Sequence, residues 1–189
     1  DGSSSEGVSY WQYGLINFIA LAEFLYTLSD GAIDLYATEK MKRIAAFPMK
    51  LQLSGSNFAS FADCDEEVHF HPGILARLAK RTGEEKLLTL LAGQVEFEND
   101  WRLPMMLRNM LWWNGKRPEA AQPVNSWLPT GGTARLVTQM APGLPLVLAV
   151  KAGHNDEQHN HNDIGSFLLH LSGENLLTDP GRGLYSRDY

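Results

Sequence analysis

The sequence predicts an α+β chain in which helices come first and antiparallel strands follow. Three observations lead to this: apolar residues recur at helical spacing as far as Trp113, prolines accumulate in 116–131, and apolar and polar residues alternate from Ala134 onward. The 189 residues, 44% of them hydrophobic, suffice for one large domain or two small ones with a packed core. We therefore expect a helical portion at 1–115, a linker at 116–131 and the first strands of a second domain at 132–189.

The first predicted helix covers Ser9–Leu28 and is apolar on nearly every face. A helix of that kind is expected to be buried all round, between other helices. Ser9 is a suitable N-cap, and the turn-forming residues from Ser29 to Gly31 end the helix. A second helix is predicted at Tyr36–Phe47, where Pro48 stops it. A loop is expected after Pro48.

Three more helical segments are predicted before the linker. One runs from Pro72 to Arg81, because proline is favoured in a first turn, and Gly83 breaks it. Another begins at Glu84 and reaches Leu91, with acidic residues in its first turn. The last covers Trp101–Trp113, with Asp100 as its N-cap.

The strands are joined by short proline and glycine turns with no helix between them, which favours an antiparallel sheet. Four strands are too few to close a sandwich, so we expect the sheet to continue beyond Tyr189. The predicted strands are Ala134–Gln139, Leu146–Val150, Ile164–Leu171 and Asn175–Thr178.

Charge and cysteine content exclude several classes of function. The chain has 16 Lys and Arg residues and 22 Asp and Glu residues, which gives a net charge of −6. This charge does not favour binding to nucleic acid or anionic lipid, which requires a basic surface. Cys64 is the sole cysteine, so the chain has no internal disulfide, and a metal would need His and carboxylate ligands. The longest apolar stretch, Leu15–Leu28, is shorter than the roughly 20 residues of a membrane span.

Two polar segments near the end of the chain are candidates for chemistry. His159 and His161 stand two apart in a polar run between apolar strands, so in an extended segment they project to the same side, toward a metal or a substrate carboxylate. Asp179 lies in the turn after the next hairpin, and an antiparallel return brings it back toward His161. The competing interpretation of both segments is a solvated turn.

A third candidate is the Gly/Ser-rich segment from Asp1, which leads directly into the first helix and places Tyr10 at the N-terminal end of that helix. A tyrosine there more often packs than reacts, because a phenol is a poor base unless neighbouring groups stabilise its anion. On the residues alone, packing and catalysis both stay open for Tyr10.

These segments resemble the signatures of the heparinase II/III-like polysaccharide lyases. The run His159–Phe167 with Asp179-Pro180-Gly181 and Tyr185 is similar to one family motif, and the run Asp1–Tyr10 is similar to a second. The resemblance covers the whole chain. It implies the C-terminal part of an (α/α) toroid followed by the start of an antiparallel β-sandwich, truncated at both ends.

The resemblance also implies a reaction and its residues. Family members cleave uronic-acid polysaccharides by β-elimination, in which the C5 proton is removed and the departing glycosidic oxygen is protonated. Tyr10 would be the catalytic acid, and it would also be the base where nearby positive charge stabilises its phenolate. His159 would be a second catalytic residue next to Tyr10. His161 and Asp179 would be ligands of a structural zinc ion.

The same resemblance implies that parts of the site lie outside this chain. The family supplies a further Asn or His upstream of the tyrosine and a third metal-binding His downstream. We therefore expect the 189 residues alone to be inactive and to bind zinc weakly. The implied partner is an acidic polysaccharide or oligosaccharide, and the implied location is periplasmic or secreted.

Two alternatives stay open at this point. A uronate epimerase of related fold uses similar Tyr and His chemistry but returns the proton instead of expelling the leaving group. A non-catalytic carbohydrate-binding protein that has lost activity would keep the fold without turnover.

Overall fold

A computed structural model describes residues 1–92, 94, 102–157 and 161–179. It contains both helices and an antiparallel sheet, so the predicted α+β class is confirmed. The described helices are α1 (Gly7–Leu28), α2 (Glu39–Ala45), α3 (Phe47–Leu51), α4 (Pro72–Thr82), a 3-10 helix (Glu85–Leu91) and α5 (Leu103–Trp112). None of the described helices is long and apolar enough to cross a membrane.

Helix α1 begins two residues earlier than predicted, at Gly7, and Ser9 is not its N-cap. Gly7 has a φ of +82°, and a Cβ on it would lie 2.5 Å from the Cβ of Cys64, so this position requires glycine. The expectation that α1 is buried all round was wrong. A stripe of side chains on one face is 52–70% exposed: Tyr13, Leu21, Phe24 and Leu28. Composition indicates a helix, but burial needs a packing partner on every side.

The second predicted helix, Tyr36–Phe47, is shorter than predicted, and the short helix α3 occupies the start of the expected loop. Helix α2 begins at Glu39, because the Thr38 hydroxyl accepts a hydrogen bond from the Met41 amide at 3.1 Å and so caps it. Pro48 does not follow the helical segment but lies in the first turn of α3. A proline there loses no intrahelical hydrogen bond, since its missing N–H would have no partner at that position.

Helix α4 matches its prediction, because its signals are local. Pro72 opens it, and Gly83 ends it with a φ of +78° and an amide that donates to the Ala79 carbonyl at 2.9 Å. The next segment, Glu85–Leu91, is helical as predicted but has 3-10 geometry. Helix α5 begins at Leu103, and its predicted cap Asp100 and predicted first residue Trp101 lie outside the described residues.

The described part of the chain contains seven strands in two sheets. A small hairpin of β1 (Gln52–Ser54) and β2 (Asn57–Phe58) occupies the segment where a loop was expected. The larger sheet is an antiparallel meander in the order β3-β4-β5-β6-β7. Its strands are β3 (Ser126–Leu128), β4 (Thr133–Ala141), β5 (Leu144–Lys151), β6 (Phe167–Leu171) and β7 (Glu174–Leu177). Strand β3 was not expected, since it lies inside the predicted linker.

One face of the meander is buried and the other is open. Val147 and Ala149 of β5 are fully buried, and so is Leu168, which pairs with Ala149 from β6. Leu136 and Phe167, in contrast, are about half exposed. The buried face therefore sits over a core that the β1–β2 segment helps to form, because the Arg135 guanidinium of β4 donates to the Gln52 carbonyl.

The chain divides into two compact units. The first comprises Asp1–Gly2, Gln12–Met49 and His69–Ala121, and the second comprises Ser3–Trp11, Lys50–Val68 and Gln122–Tyr189. The second unit contains the meander, the first turn of α1, Tyr10, His161 and Asp179. The predicted domain limits, the toroid and the sandwich stay predictions.

Candidate functional site

The candidate site is organised by the segment Ser60–Asp65, which we call the bridging loop. It follows β2 and lies in the second unit, and Ser60–Cys64 are buried. Within the part of the chain that the structure describes, three long-range contacts join it to residues 161–179. They are the Ala62 amide to Asp163 Oδ2 at 2.6 Å, Asp63 Oδ1 to His161 Nε2 at 2.7 Å, and the Ser60 hydroxyl to the Asp179 carbonyl at 3.3 Å.

The first turn of α1 contacts the same loop. The Ser9 hydroxyl donates to Asp65 Oδ2 at 3.2 Å and accepts a hydrogen bond from the Asp65 amide at 3.3 Å. Gly7 packs against Cys64 so closely that a side chain would not fit. Tyr10 is the next residue after Ser9 and is partly buried. The bridging loop therefore brings together the helix turn that carries Tyr10 and the segments that carry His161 and Asp179.

Three of the four site residues predicted from the sequence lie among the described residues. Tyr10, His161 and Asp179 all belong to the second unit, and His161 and Asp179 contact bridging-loop residues three apart. The contact of Asp179 is made by its backbone carbonyl. His159, the second predicted catalytic residue, lies outside the described residues.

The polar environment of His161 is unusual for a partly buried imidazole. Its Nε2 faces Asp63, whose side chain is 1% exposed, while the side chain of His161 is 17% exposed. Its Nδ1 is inaccessible to solvent and has no hydrogen-bond partner among the described residues. An imidazole nitrogen that is buried without a partner costs about 1–3 kcal/mol, and a metal ion would remove that cost.

This observation fits a histidine that ligates zinc, with the carboxylate holding the other ring nitrogen. No group of three or more His, Cys, Asp or Glu side chains suited to a metal occurs in 1–92, 94, 102–157 and 161–179. His161 and Asp179 would therefore supply only part of a four-ligand zinc site.

A second buried histidine shows the contrast. His170 in β6 is 1% exposed, and both of its ring nitrogens have partners: Ser54 Oγ at 2.7 Å and Asn175 Oδ1 at 2.7 Å. The Asn175 amide in turn donates to Glu66 at 3.0 Å. This fully bonded histidine ties the β1–β2 hairpin to the meander and leaves no nitrogen available for chemistry.

Sequence reasoning missed the two aspartates that hold the site. Asp63 and Asp163 are 1% and 5% exposed, yet both stand among other acidic residues in polar stretches that predict solvated loops. Ala62 adopts a φ of +55°, which no sequence signal at an alanine indicates. Asp163 offered one usable signal, since it follows His161 by two residues and so shares a face with it in an extended segment.

Burial also determines the state of two other groups in this unit. It raises the pKa of the Cys64 thiol above its usual range, so this cysteine is a protonated packing residue. It lowers the pKa of Arg135 to about 10, which still leaves the guanidinium charged at neutral pH. Arg135 donates to the Gln52 and Val124 carbonyls and thus has a structural role.

No protein-family model and no curated protein matches this chain.

Proposed function

We propose that this chain is part of a polysaccharide lyase that cleaves a uronic-acid-containing polysaccharide by β-elimination. The observation that supports the proposal is the bridging loop. It joins the helix turn of Tyr10 to the segments of His161 and Asp179, residues that the family resemblance selects from distant parts of the sequence. By the same resemblance, we propose that the helices belong to an (α/α) toroid and the meander to a β-sandwich.

The reaction requires a base, an acid and a group that stabilises negative charge. The base takes the proton from C5 of the uronate, the bond from C4 to the glycosidic oxygen breaks, a C4–C5 double bond forms, and the acid protonates the departing oxygen. In this proposal Tyr10 gives that proton. Tyr10 also takes the C5 proton when positive charge nearby stabilises the phenolate.

The C5 proton is weakly acidic while the neighbouring carboxylate is ionised. A donor that hydrogen-bonds the carboxylate as charge builds up on it stabilises the enolate-like intermediate. His159 is the proposed donor, by resemblance. His161 and Asp179 would hold a zinc ion, which when bound would fix the segment that carries His159.

The test is an elimination assay on the full-length protein. Alginate, heparan, hyaluronan and chondroitin are incubated with the protein, and the ultraviolet absorbance of the unsaturated uronate is followed. We expect a rise with one of them, and we expect Tyr10→Phe to lower the rate by about 10²-fold or more, as for loss of a general acid or base.

Tyr13→Phe is the matched control, because Tyr13 lies one turn later on α1 and is 61% exposed. It should keep the wild-type rate. Equal rates for Tyr10→Phe and the wild type would contradict the role of Tyr10. No absorbance rise on any substrate, with deuterium entering C5 from D₂O at unchanged chain length, would assign the site to an epimerase instead. Neither cleavage nor exchange would favour the binding protein.

A further inference from the structure

The contact between Asp63 and His161 has a consequence for the proton on the imidazole. Asp63 Oδ1 lies 2.7 Å from His161 Nε2, and the carboxylate is almost fully buried. An ionised carboxylate accepts hydrogen bonds and donates none. The proton of the imidazole must therefore be on Nε2, which leaves the lone pair on Nδ1.

That lone pair is buried and has no hydrogen-bond partner among the described residues. Both nitrogens of His170 in the same unit have partners, so the fold satisfies a buried imidazole where its role is packing.

The position of Asp63 is itself fixed by its neighbours. The preceding residue, Ala62, has a φ of +55°, and its amide donates to Asp163 Oδ2 at 2.6 Å. Asp163 follows His161 by two residues, so the two segments are joined at two successive points of the bridging loop. This double connection sets both the distance and the orientation of the imidazole.

We propose that Asp63 is the positioning residue of the metal site: it holds His161 as the Nε2–H tautomer and presents Nδ1 as the metal-binding nitrogen. The proposal rests on the proposed zinc site and adds the carboxylate and the ligating atom. It assigns Asp63 no contact with substrate.

The first test uses the zinc-free full-length protein and does not depend on activity. With ¹⁵N-labelled histidine, the nitrogen shifts of His161, assigned with His161→Gln, report which ring nitrogen carries the proton. We expect a protonated Nε2 and a bare Nδ1. A proton on Nδ1 with a bare Nε2 would overturn the proposal.

The second test measures zinc affinity by competition with a chromophoric chelator. We expect Asp63→Asn to weaken binding about 10- to 100-fold, the usual effect of losing a carboxylate behind a histidine ligand. Asp65→Asn is the matched control, because it removes the same charge two residues away, where the side chain contacts Ser9 and not His161. It should change the affinity less than twofold.

Equal zinc affinity for Asp63→Asn and the wild type would overturn the proposal, and so would the absence of zinc binding by the wild type. If Asp63→Asn fails to fold, the tautomer of wild-type His161 still decides the question. Failure of the lyase proposal would appear elsewhere, as a missing absorbance rise on uronates with tautomer and zinc affinity as expected.

Discussion

Replacing Asp163 by alanine tests whether the bridging loop is held from the end of the chain. Asp163 is 5% exposed, and its Oδ2 accepts the Ala62 amide at 2.6 Å. Ala62 has a φ of +55°, a conformation that L-residues rarely adopt. The carboxylate therefore holds a strained residue next to the proposed positioning residue Asp63.

The expected loss follows from these contacts. A hydrogen bond to a charged group contributes about 1.5–3 kcal/mol, and its removal leaves the Ala62 amide without its acceptor. We therefore expect Asp163→Ala to lower the free energy of unfolding by about 3 kcal/mol. For a chain of this size that corresponds to a fall in Tm of roughly 6–12 °C. Asp163→Asn keeps an acceptor and should lose about 1 kcal/mol.

The assay is urea and thermal unfolding followed by circular dichroism. Asp156→Ala is the control, because Asp156 is an exposed carboxylate in the same polar segment. It should remain within about 0.5 kcal/mol of the wild type. If Asp163→Ala is as stable as Asp156→Ala, the loop is not held by this contact and the reasoning fails.

Three buried groups of the same unit, Cys64, His170 and Arg135, give further tests. Because burial raises the pKa of the Cys64 thiol, native protein should react with iodoacetamide at least about tenfold more slowly than unfolded protein. The stability that the protonated Cys64 thiol contributes should be complete below the pKa of the unfolded thiol, near 8.5, and should fall as the pH rises above it. Unfolding midpoints that stay constant from pH 7.5 to 10 would contradict this. His170→Phe leaves the Ser54 hydroxyl and the Asn175 carbonyl without their partner and should cost about 2–4 kcal/mol in urea unfolding. Arg135→Met removes the donor to two backbone carbonyls and should cost about 1–3 kcal/mol, whereas an unchanged urea midpoint would make those contacts dispensable.

The features that sequence predicted well are those with local signals. Pro72 and Gly83 delimit α4, because the proline suits a first turn and the glycine adopts a positive φ. Alternation of apolar and polar residues predicted β4, since side chains of a strand point alternately to its two faces, and a compact apolar run predicted β5. Helix α1 was predicted, but the prediction that it is buried on every face was wrong, because burial depends on neighbouring elements that the helix sequence does not specify.

The candidate site was only partly predictable. Motif resemblance selected Tyr10, His161 and Asp179, but not the loop that joins their segments. The contacts of that loop connect residues 56 to 119 positions apart, and such pairings leave no local signal. Asp63 makes the contact with His161, yet its sequence context is that of an ordinary loop aspartate. Its role follows from its burial, which only the folded chain shows.

The most direct test of the proposed elimination is the fate of water in the cleavage. The full-length protein is incubated with a uronate oligosaccharide of defined length in H₂¹⁸O, and the masses of the products are measured by mass spectrometry. β-Elimination predicts two fragments whose masses sum to that of the substrate, one with an unsaturated uronate, and neither with ¹⁸O. Fragments that together gain one water and carry ¹⁸O would show hydrolysis and contradict the account.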